Sequence, residues 1–128
     1  MKDQIAKTSR PGVLLNLAEA LERMGNDQEV YCEIAHYFAE NLPKSLQCLM
    51  EALDRDEAET ARRIAHSLKS NCATVGAEYL RSQCYNLEVL CRSGELAKAR
   101  DCYVQLMPQL MHLRDALLDL KKEMLCQN

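Results

Sequence analysis

Residues 61–76 read ARRIAHSLKSNCATVG, from Ala61 to Gly76. On an α-helix each residue turns about 100° from the last. Ala61, Ile64, Ala65, Leu68, Cys72 and Val75 then share an arc of about 100°, the width of a stripe that packs against a core. His66 falls about 150° from the middle of that arc on the same helical repeat. The run therefore predicts an amphipathic helix, from about Glu57 to Thr74, with a histidine on its outer face. Gly76 closes the run. Glycine tolerates the positive φ of a helix C-cap or turn, so its reading is structural.

The same pattern extends on both sides. Breaks at Gly25-Asn26-Asp27, Asp54–Asp56, Gly76 and Ser93-Gly94 divide the chain into five helical stretches. The first is expected from about Pro11 to Met24, with Pro11 in its first turn and Val13, Leu14, Leu17, Ala18 and Leu21 as its stripe. The second starts at an Asp27 cap and reaches about Leu53. Its apolar set is Val30, Ile34, Tyr37, Phe38, Leu46, Leu49, Met50 and Leu53, and Pro43 should kink or break it near Asn41-Leu42. The fourth spans Gly76-Ala77 to Ser93-Gly94. The fifth runs from about Glu95 to Glu123, with Pro108 as a second expected kink. Long amphipathic helices joined by short connections predict an all-α domain over residues 1–128, with its core at about 11–123. The architecture is an up-down-up-down four-helix bundle with a short additional N-terminal helix.

Composition agrees. Only 4 glycines and 3 prolines occur in 128 residues, too few for the turns of an all-β domain. A net charge of −3 disfavours a large nucleic-acid interface, which needs a basic excess. Met1–Arg10 is polar, so no signal peptide is expected, and no apolar run is long enough to span a membrane. The expected setting is cytoplasmic. The 7 cysteines are odd in number and lack CxxC spacing. Most lie on apolar helical stripes, which favours reduced core thiols over a zinc or disulfide framework.

On the helix surface, neighbours lie three and four residues apart. Around His66 these are Arg62, Arg63, Lys69 and Ser70, with the small Ala73 a turn further. A plain surface histidine on a solvated basic face fits this geometry. So do a nucleic-acid contact and a phosphate-handling site. A metal site fits poorly, because no His, Cys or carboxylate stands at i+3 or i+4. Cations repel further positive charge, which favours a neutral, nucleophilic imidazole, and they would stabilise a phosphorylated product.

The run Ala65-His66-Ser67-Leu68-Lys69-Ser70, then Gly76-Ala77-Glu78-Tyr79-Leu80, then Cys84, Leu87 and Glu88, resembles the histidine-containing phosphotransfer (HPt) family. That family's pattern is AHxLKGxxxxxGAxxLxxxCxxLE. Upstream, Leu21–Asp27, Phe38 and Leu42-Pro43 are similar to the start of the family's long bundle helix. The resemblance covers about Leu14 to Leu118.

It implies a phosphorelay intermediate. His66 would take a phosphoryl group on Nε2 and pass it to or from an aspartate of a response-regulator receiver domain. A sensor or hybrid histidine kinase would stand upstream. Lys69 would neutralise phosphoryl oxygens. Glu88, 22 residues after His66 and at the edge of the fourth helix's stripe (Leu80, Cys84, Leu87, Cys91), would hold Nδ1–H. Tyr85 is a weaker candidate for the same neighbourhood. Arg62, Arg63, Ser70 and Ala73 would form the docking face. Ser70 departs from the family's glycine, adding bulk where a receiver approaches. The resemblance also implies a monomer with no independent catalysis, metal or cofactor, the receiver supplying the divalent metal. His36 and His112 read as ordinary helix residues.

A GxxxxGK[ST] nucleotide loop is missing from the sequence. A histidine-kinase dimerisation helix would want an acidic residue after the histidine and a proline a turn later, where Ser67 and Asn71 stand. An alternative from another class is an HPt-like interaction module that docks partners without phosphotransfer. Ser70 is the feature that points to it.

Overall fold

Tertiary structure was taken from a computed structural model, which describes residues 6–7 and 14–125. The helices are α1 (Leu17–Arg23), α2 (Gln28–Asp54), α3 (Ala58–Val75), α4 (Glu78–Arg92) and α5 (Leu96–Leu125). Ahead of them a two-residue strand β1 (Ala6–Lys7) pairs antiparallel with β2 (Leu14–Leu15). Connections of two or three residues reverse the chain between the long helices, giving the up-down-up-down bundle. In it α2 and α4 each pack against both α3 and α5.

Buried leucines, alanines and cysteines fill the centre. Leu49, Leu68, Leu87 and Leu113 are among the residues sealed from solvent, one from each long helix. Local chemistry sets the helix ends. The Asp27 carboxylate accepts from Val30 N–H at 3.1 Å, satisfying one of the unpaired donors of α2's first turn. Arg100 of α5 donates to Leu53 O at 2.7 Å, capping the far end of α2.

The end of α3 is held most firmly. Gly76 takes φ +91°, and Ala77 N–H reaches back to Cys72 O at 2.8 Å, the bonding of a glycine-terminated helix. Tyr31 Oη donates to Val75 O at 2.8 Å and Arg23 Nη2 to Ala73 O at 2.7 Å. Asn16 N–H donates to Gly76 O at 2.8 Å. A Cβ on residue 76 would stand 2.7 Å from Asn16 O, so the close approach excludes a side chain as firmly as φ does.

Several expectations need correction. Helix α1 starts at Leu17, not near Pro11, because Leu14–Leu15 pair as strand β2 and Asn16, tied to Gly76 through its backbone, caps the helix. Pro11 and Val13 lie outside the described residues. Ala18 is exposed, and Ala20 takes its place in the core. Neither proline breaks its helix, as α2 runs through Pro43 and α5 through Pro108. Burial of Phe38, Ala39, Leu42, Leu46 and Leu49 on either side of Pro43 outweighs one lost backbone bond. The α2 stripe also rotates. Val30, Ile34, Tyr37 and Met50 are exposed, while Tyr31, Cys32, Ala35 and Ala39 are buried. The chain's larger apolar residues on α2 thus occupy two faces, and only one meets the bundle.

Among the described cysteines, Cys32, Cys72, Cys84 and Cys91 are buried free thiols and Cys48 is an exposed one. Cys126 lies outside the described residues. No helix among the described residues is long and apolar enough to cross a membrane.

Candidate functional site

Two helices build the site, and the turn between them sets its register. The chain reverses at Gly76-Ala77. His66 lies ten residues before Gly76 and Glu88 eleven after Ala77, so antiparallel packing of α3 on α4 brings them to the same height. The α3 stripe of Ala61, Ala65, Leu68, Cys72 and Val75 faces inward as the periodicity predicts, and this turns His66 outward. Its side chain is 53% exposed, whereas that of Glu88 is 2% exposed. The expectation that Glu88 sits at a stripe's edge is therefore corrected. Its carboxylate is enclosed between α3 and α4, with the α3 cations closing over it.

His66 Nδ1 lies 3.0 Å from Glu88 Oε2. A carboxylate only accepts, so Nδ1 carries the proton, and in the neutral ring Nε2 keeps its lone pair and faces outward. Oε2 also accepts from Arg92 Nη2 at 3.1 Å. Arg62 Nη1 stands 3.8 Å away, but its guanidinium is committed to Glu59, at 3.0 and 2.8 Å. Lys69 Nζ is 2.9 Å from Oε1, an ion pair that covers this buried oxygen. Burial is the largest single influence on the Glu88 carboxyl and pushes it up. The surrounding Lys69 and His66 outweigh it, holding the group below the usual carboxylate range.

The picture of an imidazole crowded by cations is corrected in one respect. The group touching the ring is a carboxylate from the neighbouring helix, and the cations gather on that carboxylate. Lys69, which the resemblance gives to the phosphoryl oxygens, is half-buried and paired here with Glu88, with Tyr85's exposed ring 5.2 Å from its Nζ. Arg63 is exposed, 3.9 Å from Glu59. Ser70 is exposed, with its carbonyl accepting from Thr74 Oγ1 at 3.0 Å. Ala73 is half-buried below them. Arg92 is the residue that sequence reasoning missed, although Glu88 and Arg92 stand at the i, i+4 spacing of a helical ion pair.

On the side toward α2 the surface dips into a groove of about 560 Å³, lined in part by Asn41, Cys48, Arg63, Ile64, Ser67 and Asn71. The exposed Ile34 and Tyr37 continue its apolar floor. His36 pairs with Glu40 at 3.0 Å and His112 is exposed, both away from the site. No group of three or more metal-ligating side chains occurs among the described residues.

This arrangement offers an exposed nucleophilic nitrogen, a buried carboxylate that orients it, and cations within reach of any anion placed there. Residues 33–123 match the Hpt domain family, and the chain belongs to that family. Its role is accordingly phosphotransfer in two-component signalling. It is similar in structure to histidine-containing phosphotransfer protein B (HptB) from Pseudomonas aeruginosa PAO1, with a TM-score of 0.68, 27% identity, and coverage of 84% of this chain and 90% of that one. No curated protein matches the sequence.

Proposed function

We propose that His66 accepts a phosphoryl group on Nε2 and passes it to or from an aspartate of a response-regulator receiver domain, with a sensor or hybrid histidine kinase upstream. The observation that carries this reading is the pairing of an exposed imidazole with a buried carboxylate on its Nδ1, which leaves Nε2 as the one nitrogen able to attack. Lys69 swings from Glu88 to the phosphoryl oxygens, exchanging its ion pair with Oε1 for charge-assisted contacts with the phosphoryl group. Phosphoryl transfer needs in-line approach and charge neutralisation. The carrier supplies the nucleophile and the cation, and the receiver supplies the aspartate and the divalent metal. Arg62, Arg63, Ser70 and Ala73 border the docking face, and the groove beside Arg63 and Ser67 gives a receiver a place to seat. In this reading the protein works as a cytoplasmic monomer with no cofactor of its own.

The test is incubation with a phosphorylated receiver, or with a kinase and ATP. Acid-labile, alkali-stable phosphate should appear on the protein and be absent from His66→Gln. Label that persists in His66→Gln, or wild-type protein that stays unlabelled across a panel of receivers, would overturn the assignment and leave a docking module.

A further inference from the structure

We propose that Tyr85 is a positioning residue for Lys69, its ring keeping the ammonium at the site while Lys69 exchanges Glu88 for phosphoryl oxygens. The inference rests on the reading that Lys69 serves a phosphoryl group on His66. Lysine is a compact charge on a flexible four-carbon stem with much rotamer freedom. A charge that leaves one anion to meet another can swing into water between the two. A contact that the exchange does not consume prevents this.

Lys69 reaches from α3 against two side chains of α4. Its Nζ lies 2.9 Å from Glu88 Oε1 and 5.2 Å from the centre of the Tyr85 ring. The second distance falls inside the reach of about 6 Å over which a ring face attracts a cation. Tyr85 and Glu88 stand three residues apart, so they share a face of α4 and meet the same cation. The Lys69 side chain is 22% exposed, and the attraction is stronger on a partly dehydrated ammonium than on one in open water. The ring itself is 45% exposed, so it adds little to the core. A phosphoryl group acts differently on the two contacts. It competes with Oε1 for the ammonium, since both are anions. It does not compete with the ring, whose attraction comes from a quadrupole. Lys69 thus changes anions while staying against Tyr85. No bond to Lys69 forms or breaks, so the effect of the ring falls on the rate of transfer and not on docking.

The test compares wild type, Tyr85→Phe, Tyr85→Leu, Lys69→Ala and the double variant Tyr85→Leu with Lys69→Ala, each checked for fold by helical circular dichroism. Phosphoryl transfer from a phosphorylated receiver domain is followed by rapid quench over a range of receiver concentrations. Leucine keeps apolar bulk at the position but has no quadrupole. Tyr85→Leu should lower the maximal rate roughly threefold to tenfold, with the half-saturating receiver concentration unchanged. Tyr85→Phe, which keeps the ring, should restore the rate, and Tyr85→Leu should change nothing in the Lys69→Ala background. A ring that only fills space would leave leucine as good as phenylalanine. Proton NMR of wild type needs no variant. The Lys69 ε-methylene protons should be shifted upfield by the ring, both before and after phosphorylation with potassium phosphoramidate. Equal rates for Tyr85→Leu and Tyr85→Phe, an equal loss with and without Lys69, a raised half-saturating concentration, or an upfield shift that vanishes on phosphorylation would overturn the role of Tyr85 while leaving His66 and Lys69 as assigned. Wild type that stays unlabelled at His66, or Lys69→Ala that transfers at the wild-type rate, would instead remove the reading beneath, and this inference with it.

Discussion

Replacing Gly76 with alanine probes the turn that sets the α3–α4 register, and so the meeting of His66 with Glu88. Two costs act at this position. An L-residue in left-handed backbone costs about 1–2 kcal/mol, and Gly76 has φ +91°. The added Cβ would also stand 2.7 Å from Asn16 O, a backbone atom that cannot rotate aside. Relieving the contact pulls apart the Asn16 N–H to Gly76 O bond of 2.8 Å, worth about 1 kcal/mol. Together these come to about 2–3 kcal/mol, or about 1.5–2 kcal/mol once the lower entropy of the unfolded alanine chain is taken off. Gly25→Ala is the internal control. It shares a positive φ of 69° but has nothing within 4 Å of the new Cβ. It should carry the conformational cost alone, reduced by the lower entropy of the unfolded alanine chain, for a net of about 0.5–1 kcal/mol. Urea unfolding followed by helical circular dichroism reads the difference. With a slope of about 2 kcal/mol per molar, Gly76→Ala should lower the midpoint by roughly 1 M and Gly25→Ala by less than about half of that. Equal midpoints for the two variants would show that Asn16 does not press on Gly76, and the account of how this end of the bundle is closed would be wrong.

Three further outcomes follow from the site and its supports. On the proposed function, Lys69→Ala should slow phosphoryl transfer to a receiver by about tenfold to a hundredfold while keeping full helicity, since it removes the cation proposed to neutralise the phosphoryl oxygens, which is only half-buried beside Glu88; a comparable loss of ellipticity would show that Lys69 is structural. Because the Glu88 carboxyl is held below its ordinary 4.5, its ionised form stabilises the fold at pH above that value, and the benefit is lost as pH falls through the depressed value. Wild type should therefore exceed Glu88→Gln by about 1–2 kcal/mol at pH 7, the margin closing well under pH 4.5, as read from urea midpoints across pH. Tyr31→Phe should cost about 1–2 kcal/mol with an unchanged urea slope, because the buried carbonyl of Val75 loses the hydroxyl that donates to it at 2.8 Å; an unaltered midpoint would mean that water replaces the bond.

The helices and the outward histidine were legible because they depend on local order. The stripe from Ala61 to Val75 fixes which face of α3 is wet, whatever it packs against, and Asp27 and Gly76 mark helix ends through their own backbone chemistry. Reading failed where a local preference met a tertiary competitor. Pro11 argued for an earlier start to α1, but Leu14–Leu15 are a strand, and the bond between Asn16 and Gly76, sixty residues apart, fixes the helix start just after them. Pro43 argued for a break in α2, and core packing on both sides carried the helix through. Val30, Ile34 and Tyr37 are apolar at helical spacing, yet α2 carries a second such face formed by Tyr31, Ala35, Phe38 and Leu42. Periodicity alone does not say which of two stripes the bundle will choose.

The sequence by itself determined an all-α chain, the place of its long helices, and an exposed His66 beside Lys69, since each follows from residues within a few turns of one another. The family pattern named Glu88 for the imidazole, but only the tertiary structure decided that the two meet and what surrounds them. Glu88 belongs to another helix, and its meeting with His66 depends on the tight reversal at Gly76-Ala77 and on the packing of α3 against α4. That packing buries the carboxylate, draws Arg62, Lys69 and Arg92 onto it, and fixes the proton on Nδ1. A cluster of cations on one helical wheel thereby becomes an oriented nucleophile, because electrostatics at a few ångströms is set by neighbours in space, including those far away along the chain.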